Sequence, residues 1–158
     1  MADPAPFHFT HRRQVEFADT DLAGIVHFAN FFRYVESAEH AFFRSLGFRP
    51  HIGGGATHHG WPRLEVSCQY LKPARFEQML EISLRVTELR TSSLTYEFAI
   101  AGAAEHTRPL LATGRCAIIH VAIDPAAHQI RKAPIPADLR HALERLMAAP
   151  ALSSPPTT

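Results

Sequence analysis

The sequence predicts an α+β domain in which an antiparallel five-stranded sheet wraps around one long helix. Three observations carry this prediction. From residue 30 to 47, Phe31, Tyr34, Val35, Ala38, Ala41, Phe42 and Leu46 follow the three-four spacing of a helical face. The stretches LEVSCQYL, LEISLRVTEL and SLTYEFAI alternate apolar and polar residues with the period of two expected of half-buried strands. Short connectors separate these stretches, which favours antiparallel meander pairing over crossovers.

The elements follow in order. In FHFTHRRQVEF, Phe7, Phe9, Val15 and Phe17 share one parity, interrupted by His11 and Arg13, and this reads as a first strand. ADTDLAG then supplies turn chemistry through Asp19, Asp21 and Gly24. The long helix has Asn30 as its expected N-cap and Gly47 at the left-handed C′ position. About 17 residues at ~1.5 Å rise give a rod of ~25 Å. Phe32 and Phe43 fall on its polar face, so the rod is expected to be enclosed. HIGGGATHHG reads as a glycine-rich loop without regular structure. The last strand candidate, LLATGRCAIIHVAI, is apolar on both sides and is expected at the sheet centre. PIPADLRHALERLMAA predicts a second helix with Leu139, Leu143 and Leu146 on one stripe. Residues 1–6 are expected to be flexible, 7–148 to form one domain, and 149–158 to be a disordered tail.

Composition removes several function classes. A formal net charge of +1 gives no global field for nucleic acid or an anionic membrane. No apolar run reaches the roughly 18 residues of a membrane span. Cys68 and Cys116 have no CxxC neighbour, and MADPAPFHFTHRR lacks a signal-peptide core, so a cytoplasmic protein is expected. His51, His58 and His59 match no closed metal site, and no metal is expected.

The chemistry concentrates in FADTDLAGIVHFANF. Taken alone, an Asp-x-Asp pair reads as turn or cap. With the element order and the companions Phe17, Asp19, Thr20, Asp21, Gly24, Ile25, Val26, Asn30 and Phe31, the stretch resembles the hotdog fold. More narrowly it resembles the 4-hydroxybenzoyl-CoA thioesterase branch, which includes the Tol–Pal-associated acyl-CoA thioesterases. Weaker matches lie in SCQYLKPARFEQMLEI and ELRTSSLTYEF, so the likeness covers about residues 7–125.

The resemblance implies hydrolysis of an acyl-CoA thioester, with no cofactor beyond the coenzyme A of the substrate. It further implies homodimers assembled into homotetramers, with active sites at subunit interfaces. Asp21 matches the family's catalytic carboxylate and the Phe28 backbone N–H its polarising donor, with Gly24 and Asn30 beside the substrate. His27 departs from the pattern, since Tol–Pal-type relatives commonly carry histidine where this chain has Phe28. It is a candidate for orienting water or substrate. The resemblance also implies basic and hydroxyl side chains near the third-to-fourth strand turn for the nucleotide phosphates. That turn reads LRTSSL here, which makes Arg90, Ser92 and Ser93 candidates, with Lys72 and Arg75 behind them. A second branch carries its carboxylate on the long helix, which makes Glu36 and Glu39 competitors of Asp21.

A thioester needs a nucleophile or base together with stabilisation of the developing oxyanion. Asp21 serves as either nucleophile or general base. A helix start offers N–H groups without intrahelical partners at the positive end of the macrodipole. The alternatives are a hotdog hydratase or dehydratase and a non-catalytic acyl-CoA-binding protein.

Overall fold

The computed structural model describes residues 7–49, 58–103, 108–124, 126 and 128–148. The expected flexible start (1–6), the tail (149–158) and the Gly53–Gly55 segment lie outside the described residues. The chain runs β1 (Phe9–Gln14), a 3-10 turn (Phe17–Asp19), α1 (Phe28–Ser45), β2 (His58–Gly60), β3 (Arg63–Tyr70) and β4 (Met79–Leu89). It continues through β5 (Ser93–Gly102), β6 (Leu110–Ile119), β7 (Val121–Asp124), β8 (Gln129–Lys132) and α2 (Ala137–Ala148).

The principal sheet is antiparallel, with five strands in the order β1-β4-β5-β6-β3. The five-stranded expectation therefore holds, but only β4-β5-β6 is a meander. Residues 71–78 carry the chain across the sheet, so β3 pairs with β6 rather than with β4.

Two local readings are corrected. LLATGRCAIIHVAI is not one strand, since it breaks at His120 and β7 leaves for a second sheet ordered β2-β7-β8. His58–Gly60, read as loop, supplies an edge of that sheet. The break has a physical cause. The His120 N–H donates to Ser92 O at 2.7 Å, and its buried ring donates Nδ1–H to Pro134 O at 2.7 Å. These bonds divert the chain toward the lead-in of α2, whose Leu139 and Leu143 are buried as expected.

Helix α1 buries Phe31, Tyr34, Val35, Ala38 and Phe42 in one core with Ile82, Leu84, Phe98 and Ile100 of the sheet. Phe43, on the far side, is also buried. Trp61 and Phe48 cover it at ring-centroid distances of 5.1 and 5.9 Å. Enclosure fails at the opposite end, where Phe28 is 62% exposed. The helix closes with a paired C-cap: Gly47 N–H donates to Arg44 O and Phe48 N–H to Phe43 O. Arg33, Glu36, Arg44 and Ser45 are exposed as well, so α1 keeps one solvent-facing side in addition to its open first turn.

Gly114 marks the tightest point of the sheet. A Cβ there would lie 2.1 Å from Ser67 O and 2.3 Å from Phe98 Cζ, because the Phe98 ring crosses β6 at that position. Overpacking of this kind costs up to ~3 kcal/mol or more. Gly114→Ala is therefore expected to lower unfolding free energy in urea by about 3 kcal/mol. A loss under ~1 kcal/mol would show that β6 has room to spare.

Acid sensitivity follows from the histidines. Burial holds His120 below the ordinary histidine range, and the neighbouring His59 adds to this. His8 and His11 are lowered by burial and then by nearby arginines. Groups depressed in the folded state bind protons preferentially when unfolded, so stability is full above an ordinary pKa of about 6.5 and falls as pH drops below it. The urea midpoint is expected to decrease from pH 7 to pH 5, with a shallower decrease in His120→Gln. A midpoint that rises on acidification would contradict this.

Candidate active site

The acid turn is built by local hydrogen bonding. Gly24 N–H donates to Asp21 O and Asp21 N–H to Ile25 O, both at 2.9 Å, and Thr20 bridges Val26. This is a type I turn with Asp first, closed by a residue in the left-handed region, and Gly24 has φ of 70°. A side chain there would be strained whatever the space around it. Asp21 Oδ1 accepts from Ala23 N–H at 2.8 Å, while Oδ2 has no donor among the described residues. The turn-forming role and an available carboxylate oxygen thus coexist in one side chain.

Asp19 has a different part. It is buried, its Oδ2 accepts from Glu16 N–H at 3.0 Å, and its carbonyl accepts from His27 N–H and Asn30 Nδ2, both at 2.9 Å. It fastens the acid turn to the first turn of α1.

The N-cap is His27, not Asn30. Its Nδ1 accepts from Ala29 N–H at 3.3 Å and its ring lies on Phe28 with centroids 4.4 Å apart. Asn30 is instead drawn to Asp19 O across the turn. Asn30 N–H donates to His27 O at 2.9 Å. The Phe28 N–H is then the tip donor without an acceptor among the described residues. Its own peptide carbonyl, His27 O, accepts from Asn30, which polarises that N–H further.

Asp21 and Phe28 line one open cavity of about 420 Å³. Ile25, Phe31, Tyr70 and Leu71 give it apolar walls, and Lys72 contributes a cation. His27 does not line it. Alternation alone gave Tyr70 as a strand residue and carried no sign of a role at the cleft.

The other candidates lie elsewhere. Glu39 is 2% exposed and engaged by Arg63 and by the Tyr96 hydroxyl. Glu36 is exposed and pairs with Arg63 at 3.6 Å. Burial pushes the Tyr96 phenol far above its usual range, with the Glu39 carboxylate adding to this, so Tyr96 donates and does not ionise. Arg90 pairs with Glu88 at 2.7 Å, Ser92 is buried, and Ser93 opens β5. These three sit at the end of the β4–β5 pair where Leu89 faces Leu94, whereas the acid turn adjoins the end where Leu80 faces Gly102. Nine residues at ~3.4 Å separate the two ends by ~30 Å, so one chain does not unite Arg90, Ser92 and Ser93 with Asp21. Among the described residues, no group of three or more His, Cys, Asp or Glu is placed to hold a metal. No described helix is long and apolar enough to cross a membrane.

Asp21 and the first residue of α1, Phe28, thus line the same cleft beside a five-stranded antiparallel sheet. The family model for the Thioesterase-like superfamily matches residues 15–143, and the chain belongs to that superfamily. It is 31% identical over 130 residues to a 1,4-dihydroxy-2-naphthoyl-CoA hydrolase of Synechocystis, covering 81% of this chain and 88% of that protein. The acyl-CoA thioester hydrolase YbgC of Escherichia coli is 29% identical over 121 residues, covering 77% and 86% respectively. The crystal structure of a 1,4-dihydroxy-2-naphthoyl-CoA thioesterase from Synechocystis superposes with a TM-score of 0.72 at 26% identity, covering 85% of this chain and 94% of that one.

Proposed function

We infer that this chain is an acyl-CoA thioester hydrolase, and we propose that Asp21 and the Phe28 N–H carry the reaction. The supporting observation is their convergence on one cavity, with Asp21 Oδ2 and that N–H both uncommitted. The thioester oxygen accepts from Phe28 N–H as charge develops on it. The Asp21 carboxylate either attacks the carbonyl carbon, giving a mixed anhydride that water cleaves, or takes a proton from the attacking water. In both routes coenzyme A leaves through its sulfur and the free acid remains. Loss of an oxyanion donor typically costs ~2.7–4 kcal/mol, which makes the tip a substantial part of the rate. Gly24 sets the turn, Asn30 and Asp19 fix it to the helix, and His27 caps the tip from outside the cleft. No cofactor enters the proposed reaction, because coenzyme A arrives as part of the substrate.

The working unit we propose is a homodimer formed through β3. This edge strand exposes Leu64, Val66 and Tyr70 on a single chain, an arrangement that invites pairing with another edge. A tetramer of two such dimers, as the resemblance implies, would let Arg90, Ser92 and Ser93 of one subunit meet phosphates of a substrate held at the Asp21 of another. Lys72 serves the same anion from within the cleft. Two free cysteines support a reducing, cytoplasmic setting.

The test is a thiol-release screen of the purified protein over aromatic and aliphatic CoA esters. Steady turnover of at least one class is expected. Hydration of an enoyl-CoA without thiol release would favour the hydratase reading, and tight binding without turnover the non-catalytic one.

A further inference from the structure

We propose that Tyr70 is a positioning residue for this reaction, holding the first residue of α1 so that the Phe28 N–H points into the cleft. The inference rests on the Asp21–Phe28 reading and adds a residue to it. Tyr70 Oη donates to Phe28 O at 3.2 Å, and the Tyr70 ring stands edge-on to Phe31 with centroids 5.2 Å apart. Burial raises the phenol above its ordinary range, with Cys68 adding to this, so the hydroxyl is a donor throughout the neutral region.

The tip needs such a tie. On the acid side it is held by Asp19 O, and the turn is held to the crossing segment by Val26 N–H on Ala74 O at 2.9 Å. On the β3 side the next side-chain ties along α1 are Arg63 with Glu36 and Glu39, some eight residues or ~12 Å further along the helix. Phe28 itself is mostly exposed, and the ring that lies on it belongs to its chain neighbour His27, not to the sheet. First turns fray when their groups lack partners. The Tyr70 hydroxyl therefore sets both the width of the cleft and the direction of the donor.

Tyr70→Phe separates this role from packing, since the ring contact with Phe31 survives. With the CoA thioester that the wild type turns over fastest, kcat is expected to fall about tenfold, a fraction of what complete loss of an oxyanion donor costs. KM should stay within about twofold and the melting temperature within about 2 °C, as for a substitution that keeps its packing. A second readout uses the Asp21→Asn background, in which substrate persists. The infrared carbonyl stretch of the bound thioester, lowered by Phe28 N–H, should move back toward its solution value when Tyr70→Phe is added. Unchanged kcat and carbonyl frequency would overturn the inference, as would a rate loss fully matched by lost thermal stability. A wild type inert toward every CoA thioester would instead sink the function proposed above, and that outcome is read without any variant.

Discussion

Val66→Arg is expected to yield a folded monomer that has lost most of its turnover. Val66 lies on β3 and is 45% exposed in a single chain, so the substitution leaves the chain's own core intact. In a two-fold interface each substitution occurs twice. An uncompensated buried charge costs ~3–5 kcal/mol, so the pair weakens association by on the order of 6 kcal/mol, or about 10⁴-fold. On the proposed assembly, the monomer lacks the subunit contact at which the cleft would be completed. Sedimentation should report one chain, melting should remain cooperative, and thiol release should fall by two orders of magnitude or so, the scale set by a lost oxyanion environment. A stable dimer with wild-type turnover would remove β3 from the interface.

Asp21→Asn should be the most damaging single substitution for chemistry and among the mildest for folding. The asparagine carbonyl oxygen still accepts from Ala23 N–H, and Gly24 still closes the turn, so the local structure survives. What disappears is the charge proposed to attack the carbonyl carbon or to take the proton of the attacking water. General-base roles are worth 10²–10⁴-fold, and a nucleophile at least as much, so a loss of about 10³-fold or more is expected. Asp19→Asn should behave in the opposite sense. Its carboxylate is buried against Glu16 N–H and Asp19 does not line the cleft, so melting temperature should fall before kcat does.

Much of this molecule was legible locally. The three-four spacing marked α1, period-two alternation marked β3, β4 and β5, and the acid pair with Gly24 marked the turn. What was not legible depends on partners distant in sequence. Pairing of β3 with β6 is decided by the crossing segment, which no alternation pattern encodes. The break at His120 comes from a ring bond to a carbonyl 14 positions away. Asn30 looked like a cap because asparagine favours caps, yet a carbonyl 11 residues upstream claims its side chain and His27 takes the cap. The enclosed-helix reading anticipated burial of Phe43 but not the open tip. For the candidate site, the resemblance pointed to Asp21 and Phe28, while the bond from Tyr70 to Phe28 joins residues 42 positions apart and needed coordinates.

The most direct measurement compares turnover and binding in the same Asp21→Asn preparation. Thiol release at saturating substrate is read beside calorimetric affinity for that substrate. The account predicts near-native affinity with hydrolysis reduced about 10³-fold or more. Turnover at the wild-type level with a carboxamide at position 21 would contradict it.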